Sequence, residues 1–71
     1  MSNRVACFRR SEILKSTQKA AQVRVHDFPG GPKDIWIPRS VMMSTFKNDD
    51  LITLDIYTPL WFGRKVGLIN D

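Results

Sequence analysis

Two side chains in this sequence could supply a soft metal ligand or an activated nucleophile, Cys7 and His26, and there is one residue of each type. Nucleophilic catalysis by a Cys–His pair needs the two in contact and a third group to orient the base. Here the two lie on different segments with no obvious third member. Structural zinc takes four ligands of the Cys/His kind, and two candidates fall short. The carboxylates are Glu12, Asp27, Asp34, Asp49, Asp50, Asp55 and Asp71. The adjacent Asp49 and Asp50 follow Lys47 and Asn48, a composition that marks a turn through side-chain bonds to the local backbone. Pro29-Gly30-Gly31-Pro32 is glycine-rich but matches no phosphate-binding fingerprint, and reads as a tight loop. The sequence therefore points away from an enzyme and calls for no cofactor and no metal.

Binding chemistry is better represented. Arg9, Arg10, Lys19 and Arg24 are cations placed near Phe8 and Trp36. A surface for single-stranded nucleic acid combines cations that follow the phosphates with aromatic faces on which bases stack. Trp36 sits between Ile35 and Ile37, so it faces outward if both isoleucines face the core. An outward tryptophan or arginine is also the usual anchor of a protein interface. The plainer alternatives are a solvated basic face and a Trp36 packed beneath a loop or helix. The expected partner-binding residues are Arg9, Arg10, Lys19, Arg24 and Trp36.

The elements that must carry these residues are mostly strands. Residues 4–9 read as a first strand, and residues 10–18 either continue it or turn. Between Lys19 and Phe28, Ala21, Val23 and Val25 alternate with Gln22, Arg24 and His26, the period of a half-buried strand. The Pro-Gly-Gly-Pro loop leads to Asp34-Ile35-Trp36-Ile37, stopped by Pro38, which makes a hairpin. A second hairpin pairs 41–46 with 51–57, in which Ile52, Leu54 and Ile56 face inward and Thr53, Asp55 and Tyr57 outward. The competing reading of 40–46 is a short helix capped by Ser40. Thr58-Pro59 opens a short helix over Leu60 to Val66, with Thr58 as cap and Gly67 as its left-handed end. Trp61 is expected to be the anchor that holds this helix on the core.

With 71 residues the chain makes one domain, 1–71, and can bury only about 60% of its unfolded surface. At 42% hydrophobic and 25% charged residues it is an ordinary folding composition, not that of a disordered chain. A lone cysteine excludes an intrachain disulfide, and the start Met1-Ser2-Asn3-Arg4-Val5 begins no signal-peptide run, so a cytosolic location without membrane insertion is expected. The net charge of +4 is uneven. Residues 1–24 hold six basic groups against one acid, residues 25–58 three against five, and residues 59–71 two against one. The fold class these features predict is mainly β: five short antiparallel strands in a bent sheet or small partial barrel, with a short C-terminal helix.

Three segments occur in order: Lys19-Ala20-Ala21-Gln22-Val23, Trp36-Ile37-Pro38-Arg39-Ser40, and Pro59-Leu60-Trp61-Phe62-Gly63-Arg64-Lys65-Val66-Gly67-Leu68-Ile69. Together, over about residues 17–69, they resemble short phage and prophage proteins with a K-A strand, a W-I-P-K-S strand and a C-terminal P-x-W-(L/F)-A-x-K-x-G-L helix. Gly63 departs from that pattern, where alanine is usual, and the N-terminal portion is longer. The resemblance implies a virus-encoded accessory protein acting in the cytoplasm of a bacterial host, and it transfers no catalytic residues. The expected function is a non-catalytic basic protein that binds a host or phage macromolecular complex, for instance as an anti-CRISPR-like inhibitor of a defence system. The alternative is a single-stranded nucleic-acid-binding helper in phage recombination or replication. The sequence leaves the oligomeric state open.

Overall fold

A computed structural model describes residues 4–69, so the opening Met1-Ser2-Asn3 lies outside the described residues. The chain forms β1 (Val5–Ser16), β2 (Ala20–Val25), β3 (Lys33–Pro38), β4 (Ser44–Lys47), β5 (Leu54–Pro59) and α1 (Leu60–Lys65). The strands make one open antiparallel sheet in the order β3-β2-β1-β5-β4. The expected mainly-β fold is thus present, as an open sheet with β3 and β4 as its edges.

β1 is the longest strand and the only one flanked by both hairpins. Its first half pairs with β5 and its second with β2. Continuation of the strand through residues 10–16 is possible because it is bulged twice. Between Phe8 and Ser11 it takes three steps while β5 takes two, from Ile56 to Leu54. Between Ile13 and Lys15 it takes two steps against one on β2. At the first bulge Arg10 adopts φ 53°, the left-handed region that side chains avoid. Each bulge re-phases the alternation, which is why the sequence did not read as one strand.

The inward residues form a single core: Ala6 and Phe8 of β1, Ala21, Val23 and Val25 of β2, Ile35 and Ile37 of β3, Ile56 of β5, Phe28 from the hairpin loop and Phe62 of α1. The helix packs chiefly on β1 and β5. Val23, Val25 and Ile37 are also fully buried, and Phe28 together with Val41, Met42, Leu68 and Ile69 packs into the same core.

Several expectations need correction. Ile52 does not face the core; it is exposed, and the strand begins only at Leu54. The cause is a longer turn, in which Asp50 Oδ1 accepts from the backbone N–H of Ile52 (2.9 Å) and of Thr53 (2.8 Å), while the Thr53 hydroxyl donates to Asp50 Oδ2 (2.7 Å). Leu51, at φ 62°, is consequently thrown out to solvent and Thr53 turns in. The segment before β4 is also shorter as a strand than expected, because Arg39–Val41 closes a single 3-10 turn and pairing starts at Ser44.

Trp61 is not the core anchor. It is 55% exposed, whereas Phe62 is buried with its ring centroid 5.9 Å from that of Phe8. Trp61 instead meets the Phe62 ring edge-on, at 5.9 Å and 86°. Adjacent helical residues point about 100° apart, so only one of the two can face the sheet. Thr58 does not cap the helix either. It pairs across from Ala6, faces inward, and its hydroxyl donates to the Pro59 carbonyl. The helix end follows expectation: Gly67 is left-handed at φ 88°, and the N–H groups of Gly67 and Leu68 donate to the carbonyls of Arg64 and Gly63.

Gly63 has a structural cause. A Cβ built there would lie 2.6 Å from the Ala6 Cβ, so the helix can approach β1 this closely only over a glycine. Substitution Gly63→Ala should destabilise the domain by about 1–3 kcal/mol through overpacking, although alanine favours the helix by about 1 kcal/mol. Denaturant midpoints at unchanged m-value measure it, and a stabilised variant would contradict the close packing.

Phe62→Ala should cost about 3–5 kcal/mol. Trp61→Ala should cost only the edge-on contact, about 0.5–1.5 kcal/mol. Thermal melts that reversed this order would place Trp61, not Phe62, on the core.

The three hydrogen bonds to Asp50 hold its carboxyl down to about 2, against an ordinary 3.8. A lowered folded value means stability that is present above the ordinary value and lost as pH falls toward the folded one. The stability gap between wild type and Asp50→Asn should therefore be constant near neutrality and close between about pH 4 and pH 2. A gap that persisted unchanged to acid pH would show that the carboxylate does not clamp the turn.

Candidate binding surface

The first bulge decides which side chains reach the outer face of the sheet. Phe8 and Ser11 both point inward, so Arg9 and Arg10 both point outward, consecutive and on the same side. The bulge is fastened by three bonds. The Ser11 hydroxyl donates to the Phe8 carbonyl (2.9 Å), the Arg10 N–H donates to Asp55 Oδ1 (3.1 Å), and the His26 N–H donates to the Arg10 carbonyl (2.9 Å).

Arg9 and Arg10 do not stand in a basic field. With Asp27, Asn48, Asp49, Asp50 and Asp55 they line an open groove of about 340 Å³. The Arg10 guanidinium approaches Asp27 at 3.8 Å. The Asn48 side-chain amide donates to Asp55 Oδ1 (3.2 Å) and to the Thr53 hydroxyl (2.9 Å). Four carboxylates against two guanidiniums make the groove net negative.

Next to it lies an aromatic pair. Phe46 on β4 is directly across from Asp55, and Tyr57 follows Asp55 by two residues on the same face of β5. Phe46 is 59% exposed and meets the Tyr57 ring edge-on at 5.7 Å. Cys7, across the β1–β5 pair from Tyr57, pushes the phenol above its usual range, so it remains a neutral donor near pH 7.

The remaining expected residues lie elsewhere. Trp36 faces outward as its neighbours require, opposite Gln22 on the β2–β3 hairpin, with Ile35 and Ile37 buried. Arg24 shares that outer face but is engaged in a two-point pair with Asp34, at 2.8 and 3.1 Å. This pair holds the Asp34 carboxyl below its ordinary range. Lys19 is exposed in the turn between β1 and β2, and its carbonyl accepts from the Arg39 N–H. Arg24 and Trp36 thus lie on the outer side of the β2–β3 hairpin, Arg24 across from Glu12 of β1, while Arg9 and Arg10 line the groove with residues of the second hairpin.

Sequence reasoning missed the acidic half of the groove and the aromatic shelf. Cross-strand pairing joins Arg10 to Asp27 and Asp55 from distant parts of the chain, so a local charge count could not see it. One usable signal was present: an outward Asp55 on a paired strand makes its partner outward too, and that partner is Phe46. Arg39 was also missed. Its guanidinium donates to the Thr17 carbonyl (2.9 Å) and to the Ser16 hydroxyl, locking the β1–β2 turn to the end of β3.

Among the described residues, no group of three or more His, Cys, Asp or Glu is arranged to hold a metal ion. No helix among them is long and apolar enough to cross a membrane. Comparison with known proteins finds no matching family model, no similar curated protein and no similar solved structure.

Proposed function

We propose that this chain is a non-catalytic binding domain that docks on a protein component of a larger host or phage complex and modulates it. Inhibition of a bacterial defence system is one form of that activity, and the cytoplasm of a bacterial host is its place of action. The reading rests on the resemblance to phage accessory proteins and on one observation that carries it: Trp36, Phe46 and Trp61 are each about half exposed or more, at 46%, 59% and 55%. In so small a chain, large aromatic side chains left in solvent favour an interface anchor over a structural role.

The arginines of the expected site are poorly placed to meet phosphates. Arg24 is neutralised by Asp34 and Arg39 is spent on the β1–β2 turn. Arg10 lies beside Asp27, and it and Arg9 share a groove with four carboxylates. Phosphates would meet these carboxylates together with the arginines.

Affinity capture from a bacterial host, with and without nuclease, tests the reading when wild type is compared with Trp36→Ala, Phe46→Ala and Trp61→Ala. A nuclease-resistant complex is expected, with one of the three substitutions weakening it by about thirtyfold or more. A gel shift with single-stranded oligonucleotides that is strong at low salt, falls with added salt, and is lost in Arg9→Ala/Arg10→Ala would overturn it in favour of a nucleic-acid helper.

A further inference from the structure

We propose that the outer face of β1, β5 and β4 docks an arginine- or lysine-bearing segment of the partner protein. The cationic group enters the groove, and an apolar side chain beside it in the segment lies on Phe46 and Tyr57. The proposal rests on the protein-partner reading above and adds the chemistry of the partner.

The sign of the charge selects the ligand. The groove carries a formal −2, four aspartates against two arginines, on a chain whose total is +4, which leaves +6 on the rest. A polyanion is attracted to the rest of the surface and repelled here, while a cation gains most here.

The carboxylates are also positioned before any ligand arrives. Asp55 is fixed by the Arg10 N–H and the Asn48 amide, and Asp50 by the Thr53 hydroxyl and two backbone N–H groups. Asp49 makes no hydrogen bond or ion pair with the other described residues and keeps its full accepting capacity. Asp27 meets Arg10 only at 3.8 Å, longer than a hydrogen bond, so an incoming guanidinium can take that place at little cost. Acceptors fixed in advance reduce the ordering that binding must impose.

The apolar half adjoins by register, since Phe46 is the direct cross-strand neighbour of Asp55. A ligand cation at Asp49 and Asp55 therefore carries its flanking side chain onto an exposed aromatic ring. Arginine suits this arrangement best, because its planar fork matches carboxylates and its face stacks on aromatics.

The test is an NMR titration of the intact, isotope-labelled protein with N-acetyl-Arg-Tyr-Arg-amide, compared with N-acetyl-Glu-Tyr-Glu-amide and with oligothymidylate. The arginine peptide should move the amide signals of Arg10, Phe46, Asn48, Asp49 and Tyr57, and the glutamate peptide should not. The Asp27→Asn/Asp49→Asn variant, which removes no hydrogen bond of the fold and only the exposed 3.8 Å approach of Asp27 to Arg10, should weaken binding about fivefold, the worth of two exposed ion pairs. Phe46→Ala should weaken it as well. Signals that do not move at these residues, an equal response to the glutamate peptide, or a stronger groove response to oligothymidylate would overturn the proposal. If that happened while the nuclease-resistant host complex persisted, the groove would be refuted and the protein-partner reading would stand.

Discussion

The bulge at Arg9–Arg10 is the constraint on which the rest of this structure depends. A regular strand would follow the inward Phe8 with an inward Arg10, and burying that guanidinium without a partner would be prohibitive for so small a core. The extra residue turns both arginines out and brings Ser11 in, opposite Leu54 on one side and Val25 on the other. The left-handed Arg10 backbone costs about 1–2 kcal/mol. Its N–H and carbonyl are both bonded, to Asp55 and to the His26 N–H, and the Ser11 hydroxyl bonds the Phe8 carbonyl. Those bonds tie the middle of β1 to both hairpins at one point, so the two halves of the sheet are set relative to each other there.

The same point links fold to surface. Asp55 holds the bulge and also lines the groove. Asn48 links Asp55 to the turn that Asp50 closes. A carboxylate that shapes the outer face is thus a structural residue, and substituting Asp55 would confuse loss of fold with loss of binding. Asp27 and Asp49 carry charge into the groove without that burden.

Legibility in the sequence followed the regularity of the backbone. β2 and β3 keep strict alternation, and their inward Ala21, Val23, Val25, Ile35 and Ile37 were readable, as was the outward Trp36. β1 was readable only to Arg9, because two bulges shift the period within a dozen residues. Ile52 continued the alternation of Leu54 and Ile56 on paper, but Asp50 competes for its backbone N–H and bends the segment away. Such side-chain bonds to the local backbone are available to any aspartate, and sequence alone does not say when they win over pairing. Trp61 and Phe62 could not be separated by periodicity in a helix of six residues. For the candidate surface, the positions of the cations were legible and their counter-charges were not, since the strand pairings that bring Asp27, Asp34 and Asp55 to them join distant stretches of chain.

The distribution of aromatic residues bears most directly on function. The inner face is filled by small and medium side chains, with Ala6, Ala21, Val23 and Val25 beside Ile35, Ile37 and Ile56, and only Phe8, Phe28 and Phe62 supply large rings. Both tryptophans, the largest apolar surfaces the chain has, lie outside that core. Burying a Trp would add more stability than any of these residues supplies, so stability alone does not account for Trp36 on an edge strand or Trp61 on the outward side of α1. Each exposed ring also raises the risk of self-association, which the net positive charge opposes. Phe46, also left in solvent, lies directly across from Asp55 at the net-negative groove, and it is there that the docking surface proposed above sets an exposed ring beside charge.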